Sequence, residues 1–179
     1  MATIDFSSRV LALQAMPDNE LVMAAATGLR LRDSHTIGFA ESCTGGLLSA
    51  TFAAQAGISD VFLGSLVTYS NSVKEQMLGV SPSLLRTVGA VSPQVALKMA
   101  EGARRVIGSN WAIGVTGIAG PGGATPDKPV GTVCFAWVGP GFDRSERQQF
   151  VGSRSEIQKQ SVRHALTILI CHLEGDYET

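Results

Sequence analysis

Apolar residues recur along the chain at two spacings, and the spacing separates helices from strands. Leu21, Val22, Ala25, Leu29 and Leu31 form one stripe of a helix predicted from about Pro17-Asp18-Asn19 to Arg32. His35 to Ala40 reads as a short strand, followed by a helix from Gly45 to Gln55. Val61 to Tyr69 is rich in β-branched and aromatic residues and reads as a second strand. Short helices from Asn71 to Leu78 and from Ser81 to about Thr87 come next. Ser92-Pro93 opens a long helix, Ser as cap and Pro in the first position, with Val95, Met99, Ala103 and Val106 on one face and Gly108 at its end. Trp111 to Thr116 is a third strand, and Gly117 to Pro129 a loop dense in glycine and proline. Val130 to Val138 and Ser145 to Val151 read as antiparallel strands joined through Gly139-Pro140-Gly141. The last helix is capped by Ser153 or Ser155 and turns Val162, Ala165, Leu166, Leu169 and Leu173 toward a core.

Helices alternating with strands imply an α/β fold, a three-layer α/β/α sandwich. The adjacent C-terminal strands make the sheet mixed and mostly parallel. With 179 residues, no internal repeat and no linker, residues 1–179 are expected to form one domain. Hydrophobic residues at 45% and charged residues at 16% describe a globular chain. A net charge of −1 with no basic run argues against a nucleic-acid partner. No apolar run is long enough for a bilayer and no export signal is read, so no membrane partner is expected. Cys43, Cys134 and Cys171 are odd in number and widely spaced, which points to reduced thiols and a cytoplasmic location. His35, His164 and His172 are scattered and no Cys-x-x-Cys occurs, so neither a metal nor another cofactor is expected. The oligomeric state is left open, a homo-oligomer being compatible.

Three segments concentrate candidate chemistry. Ala40-Glu41-Ser42-Cys43-Thr44-Gly45-Gly46 lies between a strand and a helix. Ser42, Cys43 and Thr44 could each act as a nucleophile beside unpaired N–H groups of the turn, or could cap the helix or hold a phosphate. Thr68-Tyr69-Ser70-Asn71 with Lys74 is the second segment. With Asn71 as cap, Lys74 falls in the first turn of its helix. There it is either a surface charge or a desolvated general base to a serine, with Tyr69 relaying a proton or orienting it. The third segment, Thr116-Gly117-Ile118-Ala119-Gly120-Pro121-Gly122-Gly123, follows a strand and could cradle an anion through its N–H groups. Lys128 and Arg154 are the cations best placed to assist a phosphate.

Five motifs stand in order: Ala40 to Gly46; Val67-Thr68-Tyr69-Ser70-Asn71 with Lys74; Gly89-Ala90-Val91-Ser92; Thr116 to Pro121; and Lys128-Pro129-Val130-Gly131-Thr132. On these motifs the chain resembles, from about Leu21 to Leu173, the C-terminal domain of the competence/damage-inducible protein CinA. That domain is also found as the stand-alone nicotinamide-nucleotide amidase, PncC, and this chain resembles the stand-alone form. The resemblance implies a serine amidohydrolase acting on a small-molecule nucleotide, nicotinamide mononucleotide, without a cofactor. It places the nucleophile on Ser42 and the general-base lysine on Lys74, with Tyr69 beside it. Cys43, Thr44, Gly45, Gly46, Asn71, Thr116, Gly117, Gly120 and Arg154 are the expected substrate-binding residues. The chain departs from the pattern at Ser153, where many relatives carry Asp, and at Gln158, where an Arg is expected. The alternative function is a nucleotide-binding module without turnover, and the state of Lys74 discriminates the two.

Overall fold

The computed structural model describes residues 6–175. The described elements run α1 (Phe6–Ala15), α2 (Asp18–Arg30), β1 (Ile37–Glu41), α3 (Leu47–Ala53), β2 (Phe62–Val67), α4 (Asn71–Leu78), α5 (Pro82–Val88), α6 (Pro93–Ile107), β3 (Trp111–Gly117), β4 (Thr132–Gly139), β5 (Phe142–Gln149) and α7 (Arg154–Glu174). The strands form one sheet in the order β2-β1-β3-β4-β5. β1 is parallel to both β2 and β3, while β4 is antiparallel to both β3 and β5. Four strands therefore run one way and β4 alone runs against them, the mixed α/β sheet expected.

Alternation along the strands divides the core in two. Phe39, Ile113, Val115, Phe135 and Trp137 meet Leu48 and Phe52 of α3 and the apolar face of α7, over which α1 and α2 are laid. Ala40, Ala112, Cys134 and Ala136 face Met99, Ala100 and Ala103 of α6, with Leu78 of α4 and Leu85 of α5 beside them. Small side chains on this second face bring α6 almost onto the sheet. A Cβ on Gly114 would stand 2.3 Å from the Ala96 carbonyl oxygen.

The chain leaves β1 through α3 on one face to reach β2, then crosses through α4, α5 and α6 on the other face to reach β3. Strand order thus reverses at β1, the place where a crevice opens beyond the carboxyl ends of such a sheet. Ser42 follows the last residue of β1 and donates its N–H to the Val115 carbonyl at 3.0 Å.

Several elements differ from expectation for identifiable reasons. α1 is additional; Phe6, Val10 and Leu13, spaced four and three apart, pack on the first core. Pro17 separates it from α2. Leu31 and Val106 belong to no buried stripe, being 81% and 50% exposed: Leu31 lies beyond the end of α2, and in the last turn of α6 it is Ile107, not Val106, that packs on the core. The helix after the first turn is shorter than Gly45 to Gln55, since Gly46 is its cap at φ +98°. The final hairpin is tighter than expected. Gly139 pairs with Phe142 across Pro140-Gly141, and the Phe142 ring sits 5.7 Å from that of Trp111, which starts β5 three residues early. Ser153, not Ser155, caps α7 in a reciprocal box with Glu156. Ser can fill the cap position that Asp fills.

Candidate active site

The turn after β1 is built by two consecutive glycines in the left-handed region, Gly45 at φ +60° and Gly46 at φ +98°. Other residues enter that region at a steric cost, so the pair lets the chain double back into α3 within five residues. The result holds Ser42 at the carboxyl end of the sheet, 7% exposed.

Lys74 reaches it from α4. Its Nζ lies 2.9 Å from Ser42 Oγ, 2.7 Å from the Thr68 carbonyl oxygen and 3.3 Å from the Tyr69 carbonyl oxygen. The side chain is 1% exposed, and no carboxylate appears among its hydrogen-bond partners. Burial draws its pKa down to about 8, the Cys43 thiol working weakly the other way. Ser70, not Asn71, caps α4 by accepting from the Val73 N–H at 3.3 Å, and Asn71 is an exposed first-turn residue. Tyr69 meets Lys74 through its backbone carbonyl. Its side chain is 61% exposed, and its hydroxyl accepts from Arg154 at 2.9 Å. That arrangement gives the phenol an orienting partner on α7 and leaves the contact with Lys74 to the main chain.

The other candidates divide. Burial pushes the Cys43 thiol up to about 12, which holds it protonated and makes it a poor rival to Ser42. Cys43 and Thr44 each carry a main-chain N–H group in the turn. Those of Gly45 and Gly46 are already committed, to the Ser42 carbonyl at 3.1 Å and to the Glu41 carboxylate at 3.0 Å. The Thr44 and Thr68 hydroxyls are buried without a hydrogen-bond partner. Thr116 donates its hydroxyl to the Ala90 carbonyl at 2.9 Å and so fastens the loop before α6. Gly117 makes room for Cys43, since a Cβ there would lie 3.0 Å from Sγ. Gly120 gives its carbonyl to Arg154 at 2.8 Å, which ties the glycine-rich loop to α7. Lys128 is directed elsewhere, donating to the Val88 carbonyl at 2.7 Å. Among the described residues no three His, Cys, Asp or Glu side chains gather as a metal site would.

Two participants went unassigned in the sequence. Glu41 is fully buried, and its carboxylate accepts from the N–H groups of Gly46, Leu48 and Ser49 and from the Ser65 hydroxyl. Its adjacency to Ser42 in a strand was the available signal, because alternation turns it to the opposite face, toward α3. Gln158 donates to the Cys43 carbonyl at 2.7 Å and fixes the turn from the side of α7. A cavity of about 620 Å³ between α2 and α7, lined by Met23, Gly28, Leu31 and Leu173, shares no residue with this site. No helix among the described residues is long and apolar enough to cross a membrane.

The chain is similar to several known proteins. The model of the CinA C-terminal domain family matches residues 19–173. A CinA-like protein of Fervidobacterium nodosum is 45% identical over 79% of this chain and 35% of its own length. A putative competence-damage inducible protein of Moorella thermoacetica is 47% identical over 87% of this chain and 38% of its own. The chain thus spans little more than a third of these curated relatives. Among solved structures, a CinA superfamily protein from Klebsiella pneumoniae superposes with a TM-score of 0.85 at 34% identity, covering 89% of this chain and 99% of that one. A competence/damage inducible protein from Agrobacterium tumefaciens does so with a TM-score of 0.84 at 40% identity, covering 89% and 97%. The chain belongs to the CinA C-terminal domain family.

Proposed function

We propose that the chain is a serine amidohydrolase that converts nicotinamide mononucleotide and water to nicotinic acid mononucleotide and ammonia. The observation that carries the reading is the 2.9 Å approach of Lys74 Nζ to Ser42 Oγ, with both groups buried. A neutral amine has two N–H bonds and one lone pair. The Thr68 and Tyr69 carbonyls lie where they can accept the two N–H bonds. The lone pair is then left facing the Ser42 hydroxyl, the geometry of a general base.

In the proposed reaction Lys74 takes the Ser42 proton as Oγ attacks the carboxamide carbon. The N–H groups of Cys43 and Thr44 receive the developing oxyanion. The Lys74 ammonium returns its proton to the amide nitrogen, the C–N bond breaks and ammonia leaves an ester on Ser42. Lys74 then deprotonates a water that attacks the ester, the Lys74 ammonium returns that proton to Ser42 Oγ as the acyl C–O bond breaks, and the acid leaves as its carboxylate with loss of its own proton to solvent. The pyridinium charge of the substrate makes its amide carbon more electrophilic. Arg154 spends N–H groups on Gly120 and Tyr69 and has five in all, so it retains donors for the 5′-phosphate. The loop from Gly117 to Gly123 would line the same side. Three free thiols among the described residues accord with a reducing compartment.

The test is ammonia release from nicotinamide mononucleotide. Wild-type protein is expected to turn over, Ser42→Ala to be inactive and Cys43→Ala to remain active. Activity that survives Ser42→Ala would refute the assignment. Binding of the nucleotide with no ammonia released would favour the non-catalytic module instead.

A further inference from the structure

Glu41 is a carboxylate with no exposure whose hydrogen bonds converge on the turn that presents Ser42. Oε2 accepts from the N–H groups of Gly46 and Leu48, each at 3.0 Å. Oε1 accepts from the Ser49 N–H at 2.9 Å and the Ser65 hydroxyl at 3.0 Å. Four donors match the acceptor capacity of an ionised carboxylate, which has no proton to give. α3 has no side-chain cap of its own at Gly46. The strand before the turn therefore supplies the cap for the helix after it, and Ser42 to Gly46 is closed into a loop pinned at both ends. The Glu41 main chain is held as well, its carbonyl accepting from the Thr68 N–H at 2.8 Å. Thr68 is the residue whose own carbonyl accepts from Lys74.

We infer that Glu41 is a positioning residue for the Ser42 nucleophile, acting through its negative charge at the start of α3. Glutamine has the same shape but only one acceptor oxygen, so its NH2 group would confront donors that the carboxylate now satisfies. The turn would have to open to relieve them. The same contacts mean that the first-turn N–H groups of α3 are already neutralised by an internal anion. The substrate phosphate is therefore held away from α3, on the Arg154 side of the site. The hydrogen bonds of the Glu41 side chain go to α3 and Ser65 and not to Lys74, so the base itself should titrate as before.

The inference rests on Ser42 being a nucleophile, as proposed above, and two readouts separate the claims. The rate at which a fluorophosphonate labels Ser42 needs no knowledge of the substrate, whereas ammonia release from nicotinamide mononucleotide tests the reaction. Glu41→Gln, shown to be folded by circular dichroism, is expected to lose roughly 10²-fold in labelling rate and in kcat, the scale of a nucleophile displaced by about 1 Å. KM should stay within about threefold and the acid limb of the pH profile should not move, because the Arg154 side of the site and the Lys74 side chain keep their contacts. Glu41→Asp, which keeps the charge but shortens the reach, should recover part of the loss. A folded Glu41→Gln that labels and turns over like wild type overturns the inference. Should that variant fail to fold, Ser65→Ala decides. A several-fold slower labelling supports the role, and an unchanged rate overturns it. Wild-type labelling without ammonia release removes the proposed reaction and leaves the Glu41 comparison standing. Wild type that neither labels nor releases ammonia overturns both.

Discussion

Lys74 Nζ and Ser42 Oγ lie 2.9 Å apart although they come from different elements, the serine from the turn after β1 and the lysine from α4. With its pKa lowered to about 8 by burial, Lys74 holds an appreciable neutral fraction near neutrality. Turnover is expected to rise about tenfold per pH unit below that value and to level off above it. Stability should follow the same group. An unfolded lysine titrates at 10.5 and the folded one near 8, so between these values the unfolded chain holds more protons and the fold gains stability as pH rises. Lys74→Met should abolish both dependences and lower kcat by roughly 10²- to 10⁴-fold. Adding Ser42→Ala should cost little more, since the two act as one unit. A pH–rate profile that is flat from pH 6 to 9 would remove Lys74 as the base.

The Arg154–Tyr69 contact makes a separate prediction about binding. The Tyr69 hydroxyl accepts from Arg154 and does not meet Lys74 among the hydrogen bonds of the site. Tyr69→Phe should therefore raise KM for nicotinamide mononucleotide several-fold with kcat nearly unchanged. Arg154→Ala should raise KM by at least about tenfold, the loss of a charge-assisted contact of roughly 1.5 kcal/mol or more. Steady-state kinetics separates the two parameters. A collapse of kcat in Tyr69→Phe would return a proton-relay role to the phenol.

Gly102 connects the core to the base. It lies on α6 where α4 ends, and a Cβ there would stand 2.2 Å from the Leu78 carbonyl oxygen and 2.8 Å from the Leu78 Cα. Both contacts are backbone, so the helices must separate. Gly102→Ala is expected to cost about 3 kcal/mol in denaturant unfolding. It should also depress turnover in whatever fraction stays folded, because α4 carries Lys74. An unchanged unfolding midpoint would contradict the close crossing of α4 and α6.

His172 sets an acid limit on the fold. Burial against Phe142, at 4.4 Å between rings, together with the charge of Arg144, lowers its pKa to about 4. The unfolded histidine titrates near 6.5, so between about 6.5 and 4 the unfolded chain binds the extra proton and stability falls as pH falls. The loss attributable to this group is up to about 3 kcal/mol. His172→Phe should flatten that part of the curve in urea titrations at pH 7, 6, 5 and 4.5. An identical slope in the variant would assign the acid sensitivity to other groups.

Much of this was legible along the chain because the signals are local. A Ser-Pro pair starts α6 at Ser92, glycines end α4 and α6 at Gly79 and Gly108, and strand composition marks Trp111 to Gly117. The Ala40 to Gly46 motif put Ser42 in a strand-to-helix turn, and composition alone gave no reason to prefer it over Cys43 or Thr44. The hairpin boundaries were misplaced because β5 is a charged edge strand, Phe142-Asp143-Arg144-Ser145-Glu146, whose register is settled by Phe142 packing on Trp111.

The order of elements from α2 onward, the Ser92 cap of α6 and the narrowing of the nucleophile to Ser42, Cys43 or Thr44 were thus legible in the sequence itself, through interactions that span four residues or fewer. The choice among chemistries was made by tertiary structure. The parallel register that sets Glu41 beside Val67 carries Thr68 to the edge next to Ser42, and one helical turn later Lys74 folds back into the same buried space. Burial there lowers the lysine pKa and raises that of Cys43. It also sends the Tyr69 ring outward to Arg154 and turns Glu41 inward onto α3. Desolvation and the meeting of residues about thirty positions apart are properties of the packed carboxyl end of the sheet, and no local pattern encodes them.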